Sequence, residues 1–160
     1  MQVINIKDED IINYKEISMF IGTPFCNGKC WKELGLPSSI CQNNSLRTSN
    51  IIEITTCDLI ERYLNNPLSK AIVFGGMEPL DSFNDIVDFL KELRQNYNCK
   101  DIVVIYTGYK EEEIEDKLNI LRKWGNVIIK VGRYIPNRKS RFDELLGVTL
   151  ISDNQYAIKL

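Results

Sequence analysis

The sequence predicts an α/β fold, either a partial (β/α) barrel or an open, mostly parallel sheet. Short apolar segments alternate with amphipathic helical segments, which is typical of parallel strands joined by right-handed crossovers. A complete eight-unit barrel needs about 250 residues, so this chain of 160 residues can supply about half of one. We expect residues 1-160 to form a single domain.

The first predicted strand is the apolar run ISMFI at 17-21, which ends at the Gly-Thr-Pro sequence of 22-24. A loop that contains three cysteines follows it. The next element is a helix that begins after Thr55, because Thr55 and Asp58 have the spacing of a capping box. The sequence Asn-Asn-Pro at 65-67 ends this helix.

The clearest strand-helix unit comes next. The run AIVF at 71-74 predicts a buried parallel strand that stops at Gly75 and Gly76. Asp81 or Ser82 caps the helix that follows. Its apolar side chains recur at helical spacing and are Ile86, Phe89, Leu90, Leu93 and Tyr97.

The second half of the chain repeats the pattern. Predicted strands are IVVIY at 102-106, VIIKV at 127-131 and two short segments near 147-151 and 155-159. A helix lies between the first two of these strands, with three glutamates at 111-113 in its first turn and basic residues at 122-123 in its last. These charges suit the helix dipole, and Gly125 can end the helix.

Three loops follow predicted strands, at 22-41, 75-80 and 107-109. The carboxyl ends of parallel strands meet at one edge of a sheet, and ligands bind at that edge. We therefore expect these three loops to lie together and to form the ligand site.

Composition narrows the class of protein. The net charge of -2 and the charged fraction of 26% show no basic excess, so we expect no nucleic-acid partner. The first residues, MQVINIKDED, are acidic where a secretory signal is apolar, and no apolar run reaches the ~20 residues of a membrane span. We expect a cytoplasmic protein with no membrane contact.

The basic segment that contains Arg133, Arg138, Lys139 and Arg141 is either a partner-docking surface or a solvated loop.

The chain has five cysteines and no histidine, which favours metal or redox chemistry without histidine ligands. Cys26, Cys30 and Cys41 share one loop. Three thiolates could hold a four-iron cluster with one iron free for a small-molecule ligand. The alternatives are a zinc site completed by Cys57, Cys99 or Glu33, and plain buried thiols.

The turn FGGMEPLDSF at 74-83 adds a second feature at the same edge. Gly75 and Gly76 allow a ligand to approach the backbone closely, and Glu78 is an acceptor for a ligand ammonium. The alternative is a tight strand-to-helix turn with Pro79 at the start of the helix.

These motifs, in this order, resemble those of radical S-adenosylmethionine (SAM) enzymes, and especially the activating proteins of anaerobic ribonucleotide reductase. The resemblance rests on the cysteine loop, the Gly-Gly-Met-Glu-Pro turn, NYKEISMFIG at 13-22, CQNNSL at 41-46, YTGY at 106-109, VGRYI at 131-135 and Asn154-Gln155. Two features depart from the family pattern. Ten residues separate Cys30 from Cys41, with Glu33 where the third cysteine is usual, and Met77 enlarges the glycine turn.

The resemblance implies a radical SAM-like fold and a set of site residues. Cys26, Cys30 and Cys41 would bind a 4Fe-4S cluster whose open iron chelates SAM. The residues implied to contact SAM are Ile40, near adenine, together with Gly75, Gly76, Met77, Glu78 and Thr107. No side chain is assigned a catalytic role beyond the cluster and SAM.

The resemblance also implies an oxidoreductase activity and partners. Reductive cleavage of SAM would generate a 5′-deoxyadenosyl radical, which takes a hydrogen from a glycine of anaerobic ribonucleoside-triphosphate reductase. A flavodoxin-like protein would donate the electron. Two alternatives stay open. The protein is either another small radical SAM enzyme, acting on a peptide or small molecule, or a non-catalytic, zinc-stabilised α/β binding module.

Overall fold

A mixed α/β architecture is seen in the computed structural model, which describes residues 1-160. The strands are β1 Gln2–Val3, β2 Asn5–Asp10, β3 Ser18–Thr23, β4 Ile52–Glu53, β5 Ala71–Gly76, β6 Ile102–Tyr106, β7 Val127–Val131, β8 Arg141–Asp143, β9 Val148–Leu150 and β10 Tyr156–Lys159. The helices are α1 Lys29–Glu33, α2 Thr56–Leu64, α3 Phe83–Gln95 and α4 Glu115–Leu121. Short 3-10 turns span Ser38–Ile40, Asn44–Thr48, Pro79–Ser82, Glu111–Glu113 and Arg122–Trp124.

The main sheet has six strands in the order β10-β7-β6-β5-β3-β2. The four central strands, β3, β5, β6 and β7, are parallel, and the outer strands β2 and β10 pair antiparallel to their neighbours. Because β2 and β10 are edges, the sheet is open, which agrees with the second of the two predicted arrangements. Two small antiparallel sheets, β1-β4 and β8-β9, complete the fold.

The sheet is buried on both faces. On one face α2, α3 and α4 pack against alternate residues of the parallel strands, including Ile72, Phe74 and Ile105, and form the larger core. The opposite face has a smaller core, in which Val73 and Val104 contact residues outside the main sheet. Those residues are Tyr14 from the loop after β2, and Leu146 and Leu150 from the β8-β9 hairpin.

Most predicted elements are confirmed, and three details differ. The glutamates at 111-113 and the basic residues at 122-123 lie in 3-10 turns before and after α4, Glu115–Leu121, and not within one helix. Thr55 caps α2 as expected, since its hydroxyl accepts a hydrogen bond from the Asp58 N–H at 3.0 Å. Ser82 is the N-cap residue of α3, but its side chain makes no capping bond, and the 3-10 turn Pro79–Ser82 leads directly into the helix. Tyr97 lies beyond the end of α3 at Gln95. None of the helices is both long and apolar enough to span a membrane.

Replacing Phe89 with alanine is expected to lower the free energy of unfolding by about 4 kcal/mol. Phe89 is fully buried on α3 and meets the Phe74 ring edge-on, with 5.1 Å between ring centroids. The loss combines transfer free energy with an unfilled cavity. Urea unfolding of the metal-free protein, followed by circular dichroism, measures it. Ile120→Ala, at an exposed position of α4, is the matched control and should cost less than about 1 kcal/mol. Similar losses for both variants would contradict the packing of Phe89 against Phe74.

Candidate functional site

A cavity of about 510 Å³ lies at the carboxyl ends of the four parallel strands. It is lined by the loops that follow β3, β5 and β6, so the expectation that these three loops lie together is confirmed. The cavity is lined by all nine residues that the resemblance implies for cluster and SAM binding. They are Cys26, Cys30, Ile40, Cys41, Gly75, Gly76, Met77, Glu78 and Thr107. Their individual roles as ligands stay predictions.

The cysteine loop enters the cavity because the pairing of β3 with β5 continues past both strands. The Met77 N–H donates to the Thr23 carbonyl at 3.0 Å, and the Glu78 N–H donates to the Phe25 carbonyl at 2.8 Å. Cys26 therefore stands beside the glycine turn. Cys30 lies on α1, and the 3-10 turn Ser38–Ile40 presents Cys41, so the long spacer is folded into local helical structure.

The three thiols are half-buried, free and close enough to influence one another. Burial raises the pKa of the Cys30 thiol, and the neighbouring Cys41 raises it further. Burial likewise raises the pKa of Cys26, with smaller contributions from Glu78 and Cys30. Binding of iron to these thiols would therefore displace protons.

The donor set of the cavity consists of the three thiols of Cys26, Cys30 and Cys41. No group of three or more Cys, Asp or Glu side chains is gathered as one metal ion requires. A tetrahedral zinc site brings all its ligands to about 2.3 Å from one point, whereas each thiolate of an iron-sulfur cluster binds a different iron. The three thiols of this cavity are one fewer than the four cysteines that usually hold a four-iron cluster, and this number would leave one iron open.

The alternative fourth ligands for zinc lie elsewhere. Cys57 and Cys99 do not line the cavity. Cys57 is exposed on α2, 3.8 Å from a carboxylate oxygen of Glu92. The Glu33 carboxylate accepts a hydrogen bond from Arg133 at 2.8 Å. None of the three alternative fourth ligands, Cys57, Cys99 and Glu33, lines the cavity.

Gly76 forms the closest backbone approach in the site. Its φ of +85° is in the region that favours glycine, and a Cβ there would lie 2.8 Å from the Gly22 Cα and 2.9 Å from the Thr23 nitrogen. The Asn43 side-chain amide donates to the Gly76 carbonyl at 2.5 Å. Asn43 thus joins the segment after Cys41 to the glycine turn, a contact between distant segments that the sequence did not reveal.

Glu78 is buried and connects the β5 turn to the loop after β6. One carboxylate oxygen accepts from the Thr107 hydroxyl at 2.6 Å and from the Leu80 N–H at 3.1 Å, and the other accepts from the Gly108 N–H at 2.8 Å. Burial raises the pKa of Glu78, while these hydrogen bonds lower it and leave a smaller net rise. Glu78 therefore already has donors from the chain itself and fixes the position of Thr107.

Lys130 is a site residue that sequence reasoning missed. It lies on β7 and lines the cavity, and its ammonium donates to the Gly132 carbonyl at 3.0 Å and more weakly to the Thr107 carbonyl at 3.4 Å. Burial lowers the pKa of Lys130 to about 8, against opposing contributions from Glu78 and Cys30. The available signal was a lysine inside the apolar run VIIKV.

The buried ammonium predicts a pH dependence of stability. With a pKa of about 8 in the fold and 10.5 as the ordinary value, the unfolded chain binds more protons between these values. The contribution of Lys130 to stability therefore rises with pH across this window and is lost as pH falls towards 8. Relative to Lys130→Met, wild-type metal-free protein should gain up to about 3 kcal/mol from pH 7 to 10.5. Urea titrations at stepped pH measure this, and parallel curves for the two proteins would contradict it.

Helix α1, which carries Cys30, is held by ion pairs and buries none of its side chains. Lys29 contacts Glu113 at 2.5 Å, and the Arg133 guanidinium contacts Glu113 at 2.6 Å and Glu33 at 2.8 Å. Arg133 lowers the pKa of Glu113 well below its usual range, and Lys29 adds to the effect. We call these four residues the α1 ion-pair network. Arg133 is buried, so it is not part of a solvated basic loop.

A second polar contact fixes the residue after Cys26. The Asp81 carboxylate accepts from the Asn27 N–H at 2.7 Å and from the Tyr109 hydroxyl at 2.7 Å. Tyr109 belongs to the loop after β6. The cysteine loop is thereby attached to the loops after β5 and β6 through side chains that are remote in sequence.

Comparison with models of known protein families matches residues 26-155 to the 4Fe-4S single cluster domain. The matched range contains the three cavity cysteines, the glycine turn and Lys130. No curated protein and no solved structure matches the chain significantly. The match supports a 4Fe-4S cluster and covers most of the chain. The chain therefore belongs to the family of 4Fe-4S single cluster domains and is an iron-sulfur protein.

Proposed function

We propose that this protein is a radical SAM activating enzyme, which reductively cleaves SAM and generates a glycyl radical on anaerobic ribonucleoside-triphosphate reductase. One observation carries the proposal. The three cysteines, the glycine turn and Thr107 were identified from separate stretches of sequence, and they line one cavity at the carboxyl ends of parallel strands. In this proposal residues 1-160 act as one radical SAM-like domain.

Cys26, Cys30 and Cys41 would hold the 4Fe-4S cluster, and three thiolates leave one of its irons without a protein ligand. A reduced cluster with an open iron supplies the electron that breaks the sulfur to 5′-carbon bond of SAM. The two other cysteines lie outside the cavity and have no place in this arrangement.

Residues of the chain would bind and orient SAM. The backbone at Gly75 and Gly76 allows the methionine part to approach closely. The Lys130 ammonium donates to two carbonyls and has a third N–H for the SAM carboxylate. Glu78 holds the Thr107 hydroxyl in place at 2.6 Å. Ile40 offers an apolar surface for adenine. These contacts exclude water from the reacting bond, which protects a radical from side reactions.

The proposed function also requires two protein partners. The substrate is a glycine in a segment of the reductase, and a flavodoxin-like protein donates the electron. The cavity has exposed lining residues at Ile12, Thr149 and Ile151, so a protein segment has access to it from that side.

The test is anaerobic reconstitution with iron and sulfide, reduction, and addition of SAM with and without the reductase. We expect 5′-deoxyadenosine by chromatography, and a glycyl-radical signal by electron paramagnetic resonance only when the reductase is present. Deoxyadenosine without the radical would reject the reductase and favour another small radical SAM activity. Absence of deoxyadenosine from protein that contains an intact cluster would reject the radical SAM function.

A further inference from the structure

Strand β9 has an edge without a partner, and this edge faces the cavity. β9 pairs only with β8, in a two-stranded sheet. Four consecutive residues, 148-151, line the cavity. Successive side chains of a strand point to opposite faces, so a wall that takes in all three residues of β9, Val148–Leu150, includes the backbone of the strand.

The position of the hairpin supports this orientation. The Asp143 carboxylate of β8 accepts a hydrogen bond from the Ala157 N–H of β10 at 2.9 Å, so β8 lies beside the β10 edge of the main sheet and β9 lies farther over its face. Gly147, in the turn of the hairpin, packs against Lys15 in the loop after β2. The edge of β9 that does not pair with β8 therefore faces the cavity.

The backbone groups on this edge have no partner elsewhere. No N–H or C=O of residues 148-151 forms a hydrogen bond outside the β8-β9 hairpin. In a two-stranded ribbon every other residue directs its N–H and C=O away from the partner strand. Such a row of outward groups is a template for the backbone of an extended chain.

We propose that an extended polypeptide segment adds to β9 as a third strand and so enters the cavity that contains the cysteines. The inference rests on the proposed function, for which it identifies the mode of binding of the glycine-bearing segment of the partner. Main-chain hydrogen bonds to β9 align this segment, and its glycine can approach the site closely because it has no side chain. Nothing in this arrangement requires a folded substrate domain.

The surroundings of β9 define the chemistry of the segment. Ile12 and Ile151 are exposed by 67% and 47% and line the same cavity, so they favour apolar side chains on the segment. Near the open end of the hairpin, Lys139 and Arg141 form no ion pair, whereas Arg138 is paired with Asp153. These two free cations favour an acidic residue in the flank of the segment rather than a basic one.

The probe is a synthetic peptide of about seven residues with a central glycine, apolar neighbours and a terminal aspartate. Two N-methylated analogues carry the methyl groups on alternate residues, so only one of them loses the N–H groups that face β9. We expect at least tenfold weaker binding of that analogue and near-normal binding of the other. Hydrogen exchange should show protection at residues 148-151 when the peptide is bound.

Two protein variants complete the test. Ile151→Asp at the cavity should weaken binding of the peptide, and Ile120→Asp, at an exposed position of α4 outside the cavity, should not. Equal binding of both analogues, or protection elsewhere on the chain, would overturn the proposal. Peptide binding without SAM cleavage would reject the proposed radical SAM function but not the addition of a segment to β9. SAM cleavage without binding of any peptide would reject the addition to β9 but not the proposed function.

Discussion

Cys41→Ala is expected to abolish a stable 4Fe-4S cluster. Cys41 is one of three cysteines that line the cavity, and its removal leaves two thiols, Cys26 and Cys30, for four irons. A cluster held by two thiolates is exposed to loss of iron. Iron and sulfide per chain, the visible absorption spectrum and the electron paramagnetic resonance of the reduced protein measure the outcome. We expect less than about one tenth of the wild-type cluster content, consistent with the 10- to 100-fold effects typical of disturbing a metal site.

Cys57→Ala is the matched control, because Cys57 is also a free cysteine but lies on α2 outside the cavity. Its cluster content should equal that of the wild type. Both variants should unfold in urea near the wild-type midpoint when metal-free, so that cluster loss is separated from misfolding. A stable cluster in Cys41→Ala together with its loss in Cys57→Ala would show that the ligand assignment is wrong.

Gly76→Ala is expected to lower the free energy of unfolding by about 3 kcal/mol and to abolish SAM cleavage. Two costs add up, since a non-glycine residue at positive φ costs about 1 to 2 kcal/mol and overpacking adds a similar amount. The clash is with the backbone of Gly22 and Thr23, which a rotamer change does not relieve. Relief requires β3 and β5 to separate, which moves Cys26 away from the glycine turn. Urea unfolding and deoxyadenosine formation are the measurements.

Gly35→Ala is the control for backbone strain alone. Gly35 has a φ of +63°, but a Cβ there meets nothing within 4 Å. Its cost should be about 1 kcal/mol, with near-normal SAM cleavage. Equal losses in the two alanine variants would mean that the close approach of β3 and β5 is not what requires glycine at position 76.

Local signals in the sequence were sufficient for the central part of the fold. The apolar run at 71-74, the two glycines after it and the helical spacing of Ile86, Phe89 and Leu90 each correspond to an element of the structure. These segments are buried, and burial is what an apolar pattern records. The same logic located the cavity, because loops that follow parallel strands meet at one edge of the sheet.

Elements without an apolar pattern could not be predicted. Strand β2, with the sequence NIKDED, is a charged edge strand that pairs only with β3, so no burial signal marks it. Helix α1 is only five residues long and buries none of them. The pairing of Arg133 with Glu33, 100 residues apart, depends on tertiary structure that a single sequence does not encode locally.

The attachment of α1 by charges has a consequence for how a metal centre is installed and lost. Breaking the α1 ion-pair network exchanges protein contacts for water contacts and exposes no buried side chain of the helix. Opening of such a segment costs far less than unfolding of the sheet. Because Cys30 lies on α1, we expect this thiol to become accessible to iron and sulfide by local opening of the helix, while the six-stranded sheet stays folded. Uptake and loss of the centre are then expected to start at Cys30, whereas Cys26 and Cys41 stay attached to the glycine turn through the contacts of their own segments.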